Sequence, residues 1–70
     1  MTIGEGIRKA RMEKGWLQKD LAEKAGILEV SVCHYESGKV FPGALNLISI
    51  ADALEISLDD LVGRKVKRGK

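Results

Sequence analysis

Apolar residues recur at helical spacing near the start of the chain. Ile3, Ile7 and Ala10 lie three or four positions apart, so this segment is predicted to form an amphipathic helix that ends before Gly15. The stretch from Gln18 to Ala25 shows the same spacing and predicts a second helix. A glycine follows it directly, and glycine adopts the left-handed backbone that ends many helices at little steric cost.

Three more helices are predicted in the second half of the sequence. The third runs from about Leu28 to Ser37, before a glycine and a loop that contains the only proline. The fourth covers about Ala44 to Leu54. The fifth is short, from Leu58 to Val62, and begins after Ser57, which is spaced from Asp60 as an N-cap is from the residue three positions later. No strand-like alternation accompanies them, so the sequence predicts a compact all-α fold of five helices.

The fourth helix bears on assembly because it is apolar around most of its circumference. Its polar residues Asn46, Ser49 and Asp52 form one narrow stripe. A helix that is apolar on several sides is either deeply buried or covered by a partner. A domain of this size has little interior for deep burial. Leu45 and Ile48 are therefore predicted to be homodimer contacts, with burial inside the domain as the alternative.

Length and composition restrict the class of protein. Seventy residues make one small domain, and the single cysteine allows neither an internal disulfide nor a structural zinc site. The sequence shows no membrane-spanning apolar run and no signal-peptide pattern, so a cytoplasmic protein without membrane contact is expected. It also lacks a nucleophile–histidine–acid set, a phosphate-binding glycine loop and a metal-ligand pattern. We expect no enzyme activity, no cofactor and no metal.

The net charge of +2 is unevenly distributed. Residues 1–63 carry a net charge of −3, and residues 64–70 add five positive charges. A terminal block of like charges is typical of a disordered, solvated tail that often contacts polyanions, although a tail that serves solubility alone is the alternative. The chain is therefore divided into a domain of residues 1–63 and a basic tail of residues 64–70, where Arg64 and Lys65 are candidate phosphate contacts.

Helices 2 and 3 together fit the physical requirements of a helix-turn-helix. Two helices that cross at about 90–120° through a short turn need a glycine in the turn and a small residue where their axes approach. Ala22 supplies the small residue, Gly26 supplies the turn, and Val32 supplies an apolar contact from helix 3 to helix 2. The three requirements are met at fixed spacing within twenty residues.

These residues and further motifs resemble the phage-repressor and Cro/C1-type helix-turn-helix domains of the xenobiotic-response-element (XRE) family. The resemblance covers about residues 3–62 and is carried by IGEGIRKAR (3–11), QKDLAEKAGI (18–27), YESGK (35–39) and IADALEISLDDL (50–61), with Gly15 and Pro42. It implies a lambda-repressor-like fold. It also implies a transcriptional regulator that binds double-stranded DNA sequence-specifically as a two-fold homodimer, with the third helix in the major groove.

The resemblance places the base-reading positions on five residues at the start of the third helix: Leu28, Glu29, Val30, Ser31 and His34. Leucine and valine can contact a thymine methyl group, and a glutamate can accept from cytosine N4, but none of them adds positive charge. Phosphate neutralisation supplies most non-specific affinity, so the basic tail or a local cluster of lysines and arginines must provide it. For Ser31 and His34, a solvated surface pair is the alternative.

The resemblance also implies phosphate and structural roles. Gln18 matches a glutamine that bonds a phosphate and braces the recognition helix, and Ser37 and Lys39 match further phosphate contacts, some through the backbone. Arg11 and Glu36 match an ion pair that ties the first helix to the third, with two merely exposed charges as the alternative. One departure is the leucine before Gln18, where the family prefers a serine or threonine cap worth about 1 kcal/mol.

Three other side chains have predicted places. Cys33 is predicted to be a small buried or half-buried hydrophobe, with a redox sensor as the alternative. Tyr35 is predicted to lie in the core with its hydroxyl at the edge. Trp16 is predicted to be partly buried against the first helix, with base stacking as the alternative.

Three functions remain open on these residues. The first is a DNA-binding regulator that acts as a homodimer. The second is a protein-interaction module of the same fold, such as an antitoxin or adaptor, that uses the Leu28-Glu29-Val30 surface for a protein partner. The third is a domain that only dimerises while its tail binds nucleic acid without sequence preference.

Overall fold

Four helices and a final single turn occupy most of residues 2–62, the part of the chain that the computed structural model describes. They are α1 (Ile3–Glu13), α2 (Gln18–Ala25), α3 (Glu29–Ser37), α4 (Ala44–Leu54) and the five-residue α5 (Leu58–Val62). No strand occurs within residues 2–62, and the prediction of a compact all-helical chain is confirmed. The predicted basic tail, with its candidate phosphate contacts Arg64 and Lys65, lies outside the described residues.

All five segments contribute side chains to one apolar core. Ile7, Leu21, Val32, Ile50 and Leu61 come from the five segments in order, and each is fully buried. Alanines of α2 and α4, the last leucine of α4 and the tyrosine of α3 complete the core. The residues of this core cluster are all apolar or aromatic, so its stability comes from apolar burial.

The order of packing leaves one helix at the surface. α3 packs against α1 and α2, while α5 packs against α1 and α4. α4 also packs against α2, and its Asn46 Nδ2 donates to the Tyr35 hydroxyl of α3 at 2.7 Å. The outer side of α3 is therefore not covered by another helix of the described chain.

The helix starts differ in how their free N–H groups are satisfied. Thr2 caps α1: its Oγ1 accepts from the Glu5 N–H at 3.2 Å, and its own N–H donates to Glu5 Oε1 at 2.9 Å. At α5, Ser57 Oγ accepts from the N–H of the residue three positions later at 3.1 Å. At α2 only half of this arrangement exists, because Leu17 has no side-chain acceptor and its N–H donates to Asp20 Oδ2 at 2.9 Å.

The turn between α2 and α3 depends on a left-handed residue. Gly26 has φ 72° and ψ 32°, a conformation that costs a residue with a side chain about 1–2 kcal/mol. The next N–H, from Ile27, donates to the Ala22 carbonyl at 3.0 Å and closes the end of α2. Ala22 is itself buried, so the turn and the small residue both lie where α3 joins α2.

A second glycine permits a close approach between α1 and α3. A Cβ atom at Gly4 would lie 2.8 Å from the carbonyl oxygen of Glu36 and closer still to that of Tyr35. Real Cβ atoms essentially never approach a carbonyl this closely, and both carbonyls belong to the backbone of α3. Glycine at this position therefore sets how near the start of α1 can come to the end of α3.

We expect Gly4→Ala to destabilise the domain. Overpacking costs about 1–3 kcal/mol, while alanine gains at most about 1 kcal/mol over glycine in helix propensity. Urea unfolding followed by circular dichroism measures the difference. Gly43→Ser is the matched control, because Gly43 precedes α4, has an ordinary φ of −69° and has open space where a Cβ would lie. A Gly4→Ala midpoint equal to that of the wild type would contradict the steric argument.

Candidate nucleic-acid interface

The outer side of α3 exposes four of its nine residues. These are Glu29, Val30, Cys33 and Ser37. The side chains that point to α1 and α2 are Val32 and Tyr35, and both are buried. An α-helix has 3.6 residues per turn, so residues three or four positions apart share a face. One face of α3 is therefore buried and the other exposed, as expected for a helix that lies on the domain surface.

The five predicted base-reading residues lie in the first two turns of this helix or just before it. Leu28 has an extended backbone as the N-cap residue and is 70% exposed. Glu29 and Val30 are also exposed, whereas Ser31 and His34 are half-buried. The structure therefore brings the five together at one end of α3 but does not expose them equally.

The prediction that Cys33 is buried or half-buried is wrong, because its side chain is exposed. The prediction places it beside the core on account of its neighbour Val32, which is fully buried. Adjacent residues on a helix point about 100° apart, so burial of one does not bury the next. Cys33 shares its face with Val30 three positions earlier and Ser37 four positions later.

A hydrogen-bonded ion pair joins α1 to α3. Arg11 Nε and Nη2 donate to the two carboxylate oxygens of Glu36 at 2.7 and 3.1 Å, and the side chains are only 12% and 4% exposed. A third nitrogen of Arg11, Nη1, donates to the Trp16 carbonyl at 2.6 Å. Gln18 adds a bond from α2, since its Nε2 donates to Glu36 Oε1 at 3.1 Å. One carboxylate on α3 thus accepts from both helices beneath it.

A shallow depression of about 240 Å³ opens beside this pair. Its wall is formed by residues of α1, α2 and α3, namely Arg8, Arg11, Gln18, Cys33, Glu36 and Ser37. Within residues 2–62 the two ion pairs are Arg11–Glu36 and Lys14–Glu55. Arg8 is exposed and lines the depression together with Gln18, and neither described ion pair includes it.

The end of α3 carries two predicted phosphate contacts, Ser37 and Lys39, and both are exposed. The Lys39 N–H donates to the His34 carbonyl at 3.0 Å, and the Gly38 N–H donates to the Tyr35 carbonyl at 3.2 Å. These backbone groups are occupied in closing the helix. The Ser37 hydroxyl also donates to the His34 carbonyl, at 3.1 Å, so any phosphate contact at this turn falls to the Lys39 ammonium group.

The predicted dimer contacts lie on the surface of α4. Leu45 is 80% exposed and Ile48 is also exposed, so neither is buried inside the described domain. Phe41, in the loop that precedes α4, is exposed too. Sequence reasoning missed this residue because a loop has no helical periodicity to reveal it. We call Phe41, Leu45 and Ile48 the α4 strip.

Trp16 is half-buried at the turn between α1 and α2. The ammonium groups of Lys14 and Lys24 lie 5.4 and 5.6 Å from the centre of its ring, within the range of cation–π attraction. The ring packs against the edge of the core. It is therefore held at the turn by the lysines and by the core.

Neither a membrane-spanning helix nor a metal-binding cluster occurs in the described part of the chain. None of the helices among residues 2–62 is long and apolar enough to span a membrane. The same residues contain no cluster of three histidine, cysteine or acidic side chains that could hold a metal ion.

Comparison with known proteins matches the chain to a helix-turn-helix family. A model described as helix-turn-helix matches residues 7–61. The chain is 44% identical over 64 residues to the cryptic phage CTXphi transcriptional repressor RstR of Vibrio cholerae, covering 91% of this chain and 57% of the relative. It is 37% identical over 57 residues to multiprotein-bridging factor 1 of Schizosaccharomyces pombe, covering 81% and 38%. The chain thus spans about half the length of these curated relatives.

A solved structure extends the match to the backbone of most of the chain. The P22 c2 repressor, crystallised in complex with a synthetic operator, superposes with a TM-score of 0.83 at 28% identity. The match covers 90% of this chain and 96% of that chain. The lambda-repressor-like arrangement of helices is therefore the fold of this chain.

We expect Glu36→Ala to destabilise the domain by about 3–5 kcal/mol, because it leaves the buried Arg11 guanidinium without its carboxylate. The free energy of unfolding of a natural domain is only about 0.05–0.15 kcal/mol per residue. The variant should therefore be largely unfolded at 37 °C. The double variant Arg11→Met with Glu36→Met removes both charges and should recover part of the loss. Thermal unfolding by circular dichroism distinguishes the two, and equal destabilisation by both would contradict the charge argument.

Proposed function

Because the chain belongs to the helix-turn-helix family of XRE/Cro–C1 type, whose members are DNA-binding transcription regulators and not enzymes, we propose that it recognises a specific duplex sequence. The observation that carries the proposal is the position of α3, which lies on α1 and α2 with its outer side uncovered. A helix about 10–12 Å across fits the major groove, which is about 12 Å wide. The operator complex of the similar P22 c2 repressor supports this arrangement.

In this proposal the start of α3 reads base edges. Leu28 and Val30 offer apolar contacts to thymine methyl groups, and Glu29 accepts a hydrogen bond from cytosine N4. Gln18 at the start of α2 and Lys39 after α3 bond phosphates on either side. The single turn α5 serves as the fifth helix of the domain fold. It packs against α1, one of the two helices that support α3.

The net charge of the domain makes DNA affinity depend on a few phosphate contacts. Residues 1–63 carry a net charge of −3, and the Arg11 charge is neutralised by Glu36. Attraction to the duplex must therefore come from exposed cations such as Arg8 and Lys39 and from the basic residues 64–70. We include Arg64 and Lys65 among the phosphate contacts on the basis of their charge.

We further propose that the regulator binds as a homodimer through the α4 strip. Three exposed apolar side chains are unfavourable in water and can be covered by the same residues of a second copy. A two-fold dimer places two copies of α3 on successive half-sites, which makes the operator palindromic.

A second candidate function is favoured by the chemistry of the Leu28-Glu29-Val30 surface. Two exposed apolar residues beside a carboxylate suit a protein partner as well as a thymine-containing groove. One relative carries the name multiprotein-bridging factor 1. In this alternative the same face of α3 binds a protein, as in an antitoxin or an adaptor.

The central prediction is that selection from random oligonucleotides recovers a palindrome, and that affinity for it falls as salt rises from about 50 to 300 mM. The logarithm of the binding constant should fall with a slope of about −0.9 per neutralised phosphate. Deleting residues 64–70 should flatten this slope and keep the preference for the palindrome. Loss of all sequence preference on deletion would instead favour a tail-only interaction, and no binding to any duplex would refute the proposal.

Glu29→Lys separates DNA from protein as the partner. It should strengthen binding to unrelated duplexes and steepen the salt slope by about one phosphate contact. Glu55→Lys makes the same charge change at the junction of α4 and α5, away from α3, and should have a smaller effect. Loss of a protein complex with no change in DNA affinity would support the alternative. Equal effects of both variants on DNA would show that only net charge matters.

Leu45→Glu should convert the dimer to a monomer, because it places a carboxylate within an apolar contact. Analytical ultracentrifugation measures the change, and circular dichroism checks that the fold is kept. Affinity for the full palindrome should fall at least about tenfold, while affinity for one half-site should not change. Met12→Glu on the exposed side of α1 is the control. A dimeric Leu45→Glu variant would exclude the α4 strip as the interface.

A further inference from the structure

Three of the four exposed residues of α3 form a row that differs from the base-reading set given by family resemblance. Val30, Cys33 and Ser37 are all exposed and follow one another by three and four positions, which places them on one face. We call these three residues the α3 ridge. We propose that the α3 ridge faces the floor of the major groove, with Cys33 as a base-reading residue and Ser31 outside the base contacts. This inference rests on the proposed function.

The helical register gives the first argument. The buried residues Val32 and Tyr35 define the side of α3 that faces the domain. Ser31 stands one position before Val32 and four before Tyr35, so it borders the inward side and is half-buried. Val30 and Ser37 lie nearly opposite the buried side, and Cys33 lies about 50° from that direction, nearer to it than Ser31. A helix that enters a groove with its most exposed side inward presents Cys33 to the bases before Ser31.

The surroundings of the ridge give the second argument. Cys33 and Ser37 line the same depression as Arg8 and Gln18. The nearby carboxylate of Glu36 is neutralised by Arg11, which leaves Arg8 as the remaining charged residue that lines the depression. A cation and an amide donor beside a ridge of small side chains suit a phosphate backbone at the edge of a groove. This charge complementarity identifies duplex DNA as the occupant.

The chemistry of the ridge indicates which base feature it contacts. The Ser37 hydroxyl already donates to the His34 carbonyl at 3.1 Å, so its proton is not available to a base. Val30 is apolar, and a free cysteine such as Cys33 behaves as a small hydrophobe. Both match the C5-methyl group of thymine better than any hydrogen-bonding edge. The target half-site therefore carries a thymine whose methyl group packs against Cys33.

Replacing thymine by deoxyuridine tests this directly, since it removes only the methyl group. Each thymine of the selected palindrome is replaced in turn, and binding is measured for the wild type, Cys33→Ser and Ser31→Ala. At one position per half-site, the wild type should lose about fourfold in affinity, the effect of one buried methyl group. Cys33→Ser should lose its sensitivity at that position. Ser31→Ala should bind like the wild type and keep the sensitivity.

Thiol alkylation supplies a second readout, because Cys33 is the only cysteine of the chain. N-ethylmaleimide should react with the free protein and lower its affinity for the palindrome by about tenfold or more through a steric clash. Bound palindrome should slow the reaction, and Cys33→Ser should be unaffected by the reagent. Circular dichroism of the alkylated protein verifies that its fold is unchanged.

The outcomes separate this inference from the proposed function. A wild type that binds no duplex would refute the proposed function. A wild type that binds its palindrome, but binds equally well after alkylation, would refute the inference alone. So would a loss of sequence preference in Ser31→Ala together with unchanged deoxyuridine sensitivity in Cys33→Ser.

Discussion

The carboxylate of Glu36 is the contact on which the placement of α3 depends. It accepts hydrogen bonds from Arg11 on α1 and Gln18 on α2, and it is almost fully buried. A buried carboxylate is tolerated only where such donors satisfy it. The bidentate guanidinium fixes both distance and orientation, since its donors form a rigid fork. α3 is therefore held at a defined angle on its two supporting helices while its outer side stays free.

Apolar packing and the close approach at Gly4 complete this arrangement. The core side chains of α3 resist separation of the helices, but apolar contact is not directional and would permit small rotations. Glu36 limits such rotation near the end of α3, and the contact of Gly4 with the same part of the backbone limits it further. A helix that reads base edges needs this rigidity, because the contacts extend over only a few ångströms.

Much of the fold follows from the sequence, because apolar spacing and glycines are local signals. The predicted bounds of α2 and α4 match the structure, and α3 starts one residue later than predicted because Leu28 keeps an extended backbone as the N-cap. Apolar spacing does not reveal the cap at Thr2, although the spacing of this threonine to Glu5 is a recognisable signal.

The surface of the site is less predictable than its support. Pairing of Arg11 with Glu36 is implied by family resemblance and is present in the structure. The exposure of Cys33 does not follow from a buried neighbour, since it depends on which side of α3 meets α1 and α2. The distribution of apolar residues along α3 gives little help, because residues such as Val30 also occupy its outer side. Only the three-dimensional packing of the helices decides which residues remain accessible.

The position of Trp16 has an optical consequence. It is the only tryptophan of the chain, and two ammonium groups and the edge of the core surround its ring. Its fluorescence therefore originates from one defined environment at the turn between α1 and α2. Unfolding removes that environment and changes the emission, whereas a molecule seated on the outer side of α3 leaves the indole in place. The fluorescence of Trp16 thus reports whether the domain is folded, independently of what α3 binds.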